Sequence, residues 1–73
     1  MGKATGFIMK FAKTKKVSLD ALETALLWAK AYDEAVAVGA SSDTATDVAT
    51  EDTNDLVWTD ASHAAVAAFG VSL

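Results

Sequence analysis

His63 is the only imidazole in this 73-residue sequence, and Asp60 lies three residues before it. On a helix, residues three apart are neighbours, so the pair could share a hydrogen bond and act as a general base. However, no nucleophile, oxyanion donor or glycine-rich phosphate loop accompanies the pair. We therefore predict no catalytic residues, no enzymatic activity and no small-molecule substrate.

Four acidic residues recur every four positions: Asp43, Asp47, Glu51 and Asp55. Carboxylates are the hard oxygen ligands that Ca²⁺ prefers, but the spacing does not fit an EF-hand loop. A loop starting at Asp43 would have Val48 where glycine is required, and a loop starting at Asp47 fails as well. Cysteine is absent, which excludes disulfides and disfavours a structural zinc site. We expect no metal and no other cofactor.

Residues 1–17 form a basic amphipathic arm with five lysines and no acid. The apolar spacing of residues 3–13 fits a helix, and its alternation also fits a strand; we favour the helix. A helix would place lysines opposite Phe7, Ile8 and Phe11, as in helices that lie on membrane surfaces. The arm could instead pair with the phosphates of nucleic acid through four of its lysines: Lys10, Lys13, Lys15 and Lys16.

Charge is strongly divided along the sequence. Residues 18–40 carry four acids and one lysine, and residues 41–73 carry six acids and no base, so the net charge is −4. Arginine, whose guanidinium fork usually reads bases and phosphates, is absent. The excess of negative charge also repels phosphate at long range. A protein partner or a second copy of the chain is therefore favoured over nucleic acid or an anionic membrane.

The clearest element is a principal helix over residues 18–38. Ser18 is a good N-cap, and Gly39 is suited to end the helix. Seven residues share one face: Leu19, Leu22, Ala25, Leu26, Ala29, Tyr32 and Val36. A second, narrower apolar strip consists of Leu27, Trp28 and Val38. A helix that is apolar on more than one side usually contacts more than one neighbour.

A second helix is predicted over residues 59–69. Thr59 or Asp60 would cap its N-terminus, its alanines favour helix formation, and Gly70 would end it. The intervening segment, residues 40–55, is polar and acidic, and like charges at i, i+4 disfavour an isolated helix. For that segment we rank an irregular loop first, a β-hairpin at about 44–60 second and a helix third.

Together these elements predict a single small domain, residues 1–73, of the mainly α class with two or three helices. The alternative is an α+β fold that contains the hairpin. A chain of this length buries only about 60% of its unfolded surface, so its core is marginal and contacts with partners would add stability. The apolar residues that we expect to make such contacts are Phe7, Ile8, Phe11, Trp28, Tyr32, Trp58 and Phe69. Among them, we favour Trp28, which lies off the main face of its helix, as an interface residue.

We therefore predict a non-enzymatic structural or assembly subunit that docks on itself or on a larger complex, for example a virion or a filament. Opposite charges on different patches favour head-to-tail contact between copies. One alternative is a binding module that uses its lysine arm on nucleic acid or an anionic membrane. Another is an inhibitor whose acids imitate phosphates. No signal peptide or membrane span is evident, so an intracellular location or one within a macromolecular assembly is expected.

Overall fold

The structure is a computed structural model that describes residues 2–73, and these residues form four helices. Helix α1 spans Lys3–Lys15, α2 spans Leu19–Ala37, α3 spans Ser42–Asp52 and α4 spans Asp60–Ser72. The mainly α class predicted from the sequence is confirmed, although there are four helices instead of two or three. Helix α2 is central, because α1, α3 and α4 all pack against it.

The helix termini follow local capping rules. Ser18 caps α2 by accepting a hydrogen bond from the backbone N–H of Ala21 at 3.3 Å. Gly39 follows α2 with a φ of +100°, a left-handed conformation that glycine adopts without a steric cost. Thr59 and Ser62 form a reciprocal capping box at the start of α4. Helix α4 continues past Gly70 to Ser72, so the prediction that Gly70 ends it is wrong.

Helix α1 is capped by a residue that is distant in sequence. Its own N-cap residue, Gly2, has no side chain to offer. Instead, Asp33 of α2 accepts hydrogen bonds from the backbone N–H groups of Ala4 and Thr5, both at 2.9 Å, and from the Thr5 hydroxyl at 2.7 Å. A carboxylate at this position satisfies free N–H groups and is stabilised by the helix dipole. Asp33 thus fixes the start of α1 against α2.

Helix α3 replaces the irregular loop that we ranked first for residues 40–55 and also the alternative hairpin at about 44–60; both predictions are wrong. Ser41 caps its N-terminus, and the side chains of Ala45 and Ala49 are fully buried against the rest of the core. The acidic residues that disfavour an isolated helix lie on its solvent side, where water screens their repulsion. Tertiary packing of the alanine face therefore outweighs the repulsion between the acids.

The core combines small alanines with a cluster of aromatic rings. Phe69 of α4 lies in edge-on contact with Tyr32, at a centroid distance of 5.0 Å, and with Trp28, at 6.1 Å. It also packs on Phe7 of α1 at 5.6 Å. Such tilted arrangements are the ones that aromatic pairs prefer, so one residue of α4 ties α1 and α2 together.

Candidate interaction surfaces

Four of the seven residues predicted to contact a partner are buried inside the chain: Ile8, Trp28, Tyr32 and Phe69. Trp28 is only 2% exposed, and its indole N–H donates to the Thr50 hydroxyl of α3 at 3.2 Å. This burial contradicts the prediction of Trp28 as an interface residue. Trp28 lies off the main apolar face of α2, and it is buried because α3, which was not expected to be a helix, covers that side.

The other three predicted contact residues are half-buried. Phe7 and Phe11 border a shallow cleft on α1 together with the lysines Lys10 and Lys15. Trp58 precedes α4, where its indole N–H donates to the carbonyl of Thr53 at 2.8 Å. Its ring stacks on the imidazole of His63, with the centroids 5.0 Å apart. These rings keep an exposed edge, but each also has a structural role within the chain.

The lysines of the arm lie on the outer surface of the molecule: Lys10, Lys13, Lys15 and Lys16 are all exposed. The buried residues of α1 are Ala4, Ile8 and Ala12, which recur every four positions; Lys10 and Lys13 lie on the opposite side of the helix, and Lys15 and Lys16 lie at its C-terminal end. The lysines near the end of α1 also complement the negative end of its dipole. We call this surface the lysine flank.

The acids of α3 form a second outer surface. Asp43, Asp47 and Glu51 are exposed and recur every four residues, whereas Ala45 and Ala49 mark the buried side of the same helix. Asp55 follows α3 and is also exposed. We call this surface the acidic flank.

The two charged flanks belong to different helices. Within residues 2–73, α1 and α3 pack against α2 but do not pack against each other. Packed helix axes are about 8–10 Å apart, so the axes of α1 and α3 can be as far apart as roughly 16–20 Å. The Debye length at physiological ionic strength is about 8 Å. The lysine flank and the acidic flank are therefore exposed patches on two helices that do not contact each other.

A third surface is apolar and was not singled out from the sequence. Met9 of α1 and four leucines of α2 line an open groove of about 480 Å³: Leu19, Leu22, Leu26 and Leu27. Leu19 is 81% exposed, and Leu27 and Met9 are each 45% exposed. Glu23 and Lys30 lie at the edges of this groove, together with Thr5. Such a set of exposed leucines on one helix commonly marks an interaction site.

The sequence contained one signal of this groove, namely that Leu27 lies off the main apolar face of α2. The other leucines share a face with buried alanines, so their exposure could not be read from spacing alone. Leu22 and Leu26 are half-buried at the edge between α1 and α2, and the remaining part of each side chain faces the groove. What the surface can do chemically is exclude water against another apolar surface.

Among residues 2–73, no three His, Asp or Glu side chains are grouped so that they could hold a metal ion. Across the same part of the chain, no helix has both the length and the apolar character required to cross a membrane. No protein-family model matches the chain, and comparisons with curated proteins and with solved structures find no match either. Function is therefore inferred from the surfaces themselves.

Proposed function

We propose that this protein is a non-enzymatic assembly subunit whose copies associate head to tail, or dock on a larger complex, through oppositely charged flanks. The observation that supports this most directly is that α2 separates the lysine flank from the acidic flank. A contact between the lysine flank of one copy and the acidic flank of the next leaves a free flank at each end. Such a heterologous contact can repeat, as assembly into a ring or a filament requires.

Charge complementarity of this kind acts mainly on the rate and orientation of association, and it weakens as salt screens the flanks. We expect the mass measured by light scattering to exceed that of one chain in about 0.01 M salt, where the Debye length is about 30 Å. The association should weaken in about 1 M salt, where the Debye length is about 3 Å. A mass that does not depend on salt would argue against head-to-tail contact through the flanks.

Charge reversal gives a sharper test. The variant K10E/K13E/K15E/K16E is acidic on both flanks, and the variant D43K/D47K/E51K/D55K is basic on both flanks. Neither variant should associate head to tail alone, whereas an equal mixture should associate, because the acidic α1 of one then meets the basic α3 of the other. A matched control is D20K/E34K, which reverses two exposed acids on α2 and leaves both flanks intact. Failure of the mixture to associate contradicts the proposal.

The lysine flank alone could also bind phosphates, and the same measurement with duplex DNA or anionic vesicles tests this alternative. Binding of either one, with an affinity that falls steeply with salt and is lost in K10E/K13E/K15E/K16E, would favour a nucleic-acid or membrane module. If neither probe binds while the mixture of reversed variants associates, the assembly function is supported.

A second candidate function has gained support from α3. An inhibitor that imitates phosphates must hold its acids on an ordered element, and Asp43, Asp47 and Glu51 lie on one exposed helical face. This function predicts inhibition of a DNA-binding enzyme that is relieved by added duplex DNA. The neutral variant D43N/D47N/E51Q should abolish the inhibition, because the imitation depends on charge. A screen in which no such enzyme is inhibited removes this candidate.

A further inference from the structure

The outer face of α2 carries a stripe of side chains spaced three or four residues apart, which places them on one side of the helix. The stripe consists of Leu19, Glu23, Leu26, Leu27, Lys30 and Glu34. No side chain of this stripe is fully buried, and Leu19 and Leu27 are among the most exposed large apolar side chains of the chain. The stripe borders the leucine groove on the side of α1.

The Glu23 and Lys30 charges near the centre of this stripe are self-complementary, whereas Glu34 at its end faces Leu19 across the same axis. Glu23 and Lys30 flank the two leucines, and the midpoint between them falls between Leu26 and Leu27. If two copies of α2 lie antiparallel about a two-fold axis at that midpoint, Glu23 of each copy faces Lys30 of the other. The same axis brings Leu26 of one copy against Leu27 of the other. A parallel arrangement in the same register would place Glu23 against Glu23 and Lys30 against Lys30.

From this pattern we infer that the outer face of α2 pairs with the same face of a second copy, as an antiparallel two-fold dimer. The occupant is a second copy because the charge pattern complements itself, as an isologous contact requires. The inference deepens the proposed assembly function and rests on it, but it uses the outer face of α2, which meets the acidic flank at the cleft that Leu27 and Lys30 share with Asp55. The leucines exclude water from the contact, and the two Glu23–Lys30 pairs select the antiparallel orientation.

The size of the surface indicates a reversible dimer. The stripe from Leu19 to Glu34 is roughly 22 Å long at 1.5 Å per residue. Helices α1 and α2 side by side are roughly 20 Å wide, so each copy offers a projected area of about 440 Å². Stable interfaces commonly bury about 800 Å² per partner, and weak, transient ones bury less. The dimer is therefore expected to dissociate on dilution.

The first test is the substitution Leu27→Gln in the full chain, measured by sedimentation equilibrium over a concentration series in about 1 M salt, where contacts through the charged flanks are screened. We expect the wild type to dimerise and L27Q to dimerise at least tenfold more weakly. The matched control is Val71→Gln, which changes a side chain that is 88% exposed on α4, away from the stripe. Equal dimerisation of L27Q and V71Q overturns the inference, as does a wild type that stays monomeric throughout.

The second test exchanges the charges within the stripe. It is made at low salt and in the flank variant K10E/K13E/K15E/K16E, so that head-to-tail contact is removed. Glu23→Lys and Lys30→Glu should each weaken dimerisation about tenfold, because each creates two like-charge pairs. The double variant E23K/K30E should restore the original affinity, since the exchanged pattern is again self-complementary. A double variant that dimerises as weakly as the single variants contradicts the two-fold pairing.

Lys30 also borders a cleft that contains Glu34, Asp52 and Asp55 of its own chain. If Lys30→Glu weakens dimerisation and Glu23→Lys does not, the effect arises within the chain and the inference fails. Circular dichroism of each variant verifies that the helices are intact. The two contacts can also be told apart. If the dimer does not depend on salt and is lost in L27Q, and the mixture of charge-reversed variants does not associate, the two-fold contact is supported and the head-to-tail contact is rejected.

Discussion

Replacing Asp33 with alanine removes the side chain that caps α1. Asp33 is 29 residues away in sequence from Ala4, one of the residues whose N–H it accepts. The side chain accepts two backbone N–H bonds at 2.9 Å and one hydroxyl bond at 2.7 Å, and it is half-buried. Loss of an N-cap typically costs about 0.5–2 kcal/mol, and loss of a carboxylate from the positive end of a helix dipole costs about 0.3–1 kcal/mol. We expect D33A to lower the free energy of unfolding by about 2 kcal/mol.

In a domain of this length, 1 kcal/mol corresponds to a shift in Tm of about 4–8 °C, so the Tm of D33A should fall by roughly 8–16 °C. Urea unfolding followed by circular dichroism measures the change in free energy. The variant D33N should lose about half as much free energy of unfolding, because the amide oxygen of asparagine can still accept a hydrogen bond from one N–H. The control E34A removes the neighbouring exposed acid and should change stability by less than about 0.5 kcal/mol.

Hydrogen exchange locates the effect. The amides of Ala4 and Thr5 should exchange faster in D33A, because these N–H groups lose their acceptor. A D33A variant within about 0.5 kcal/mol of the wild type would refute the assignment of Asp33 as the cap. So would a large destabilisation that leaves the exchange of these two amides unchanged.

Three further predictions follow from packing. Gly2→Ala should destabilise the chain, because the added Cβ would overlap the carboxyl carbon of Asp33. The loss of stability should be smaller in the D33A background, and a double-mutant cycle measures this difference. Ala49→Leu should cost about 1–3 kcal/mol in a urea titration, because that side chain is fully buried, whereas Val48→Leu on the exposed side should be nearly neutral. Phe69→Ala should cost about 3–5 kcal/mol and abolish the near-UV signal of the aromatic cluster, and a cooperative melt at the wild-type temperature would contradict that packing.

Local rules predicted the elements whose signals are local. The spacing of apolar residues, Ser18 and Gly39 place the principal helix over 18–38, and the structure has α2 over Leu19–Ala37. Helix α3 could not be found this way, because its stability comes from Ala45 and Ala49 packing in the core. Alanine spacing alone does not distinguish a buried helical face from a polar segment, and the repeated acids argue against an isolated helix.

The interaction surfaces depend even more on tertiary structure. Whether Trp28 faces solvent depends on whether α3 is present, and whether Leu19 or Leu26 is covered depends on how α1 packs on α2. Spacing shows that α2 has two apolar sides, but it does not show which side has a neighbour. The capping of α1 by Asp33 has no local sequence signal at all. The separation of basic from acidic residues, in contrast, is visible in the sequence, and it places the two kinds of charge on α1 and α3, which do not contact each other.

The contact between Phe7 and Phe69 joins residues that are 62 positions apart, and it therefore has a consequence for folding kinetics. Closing a loop of this length costs roughly 4 kcal/mol of chain entropy. The hairpin of α1 and α2 needs only a short connection, so it can form early. The ring of Phe69 joins the aromatic cluster only when α4 packs. During synthesis, Trp28 and Tyr32 emerge from the ribosome before the phenylalanine that covers them, and in that interval they are open to non-native contacts with other nascent chains.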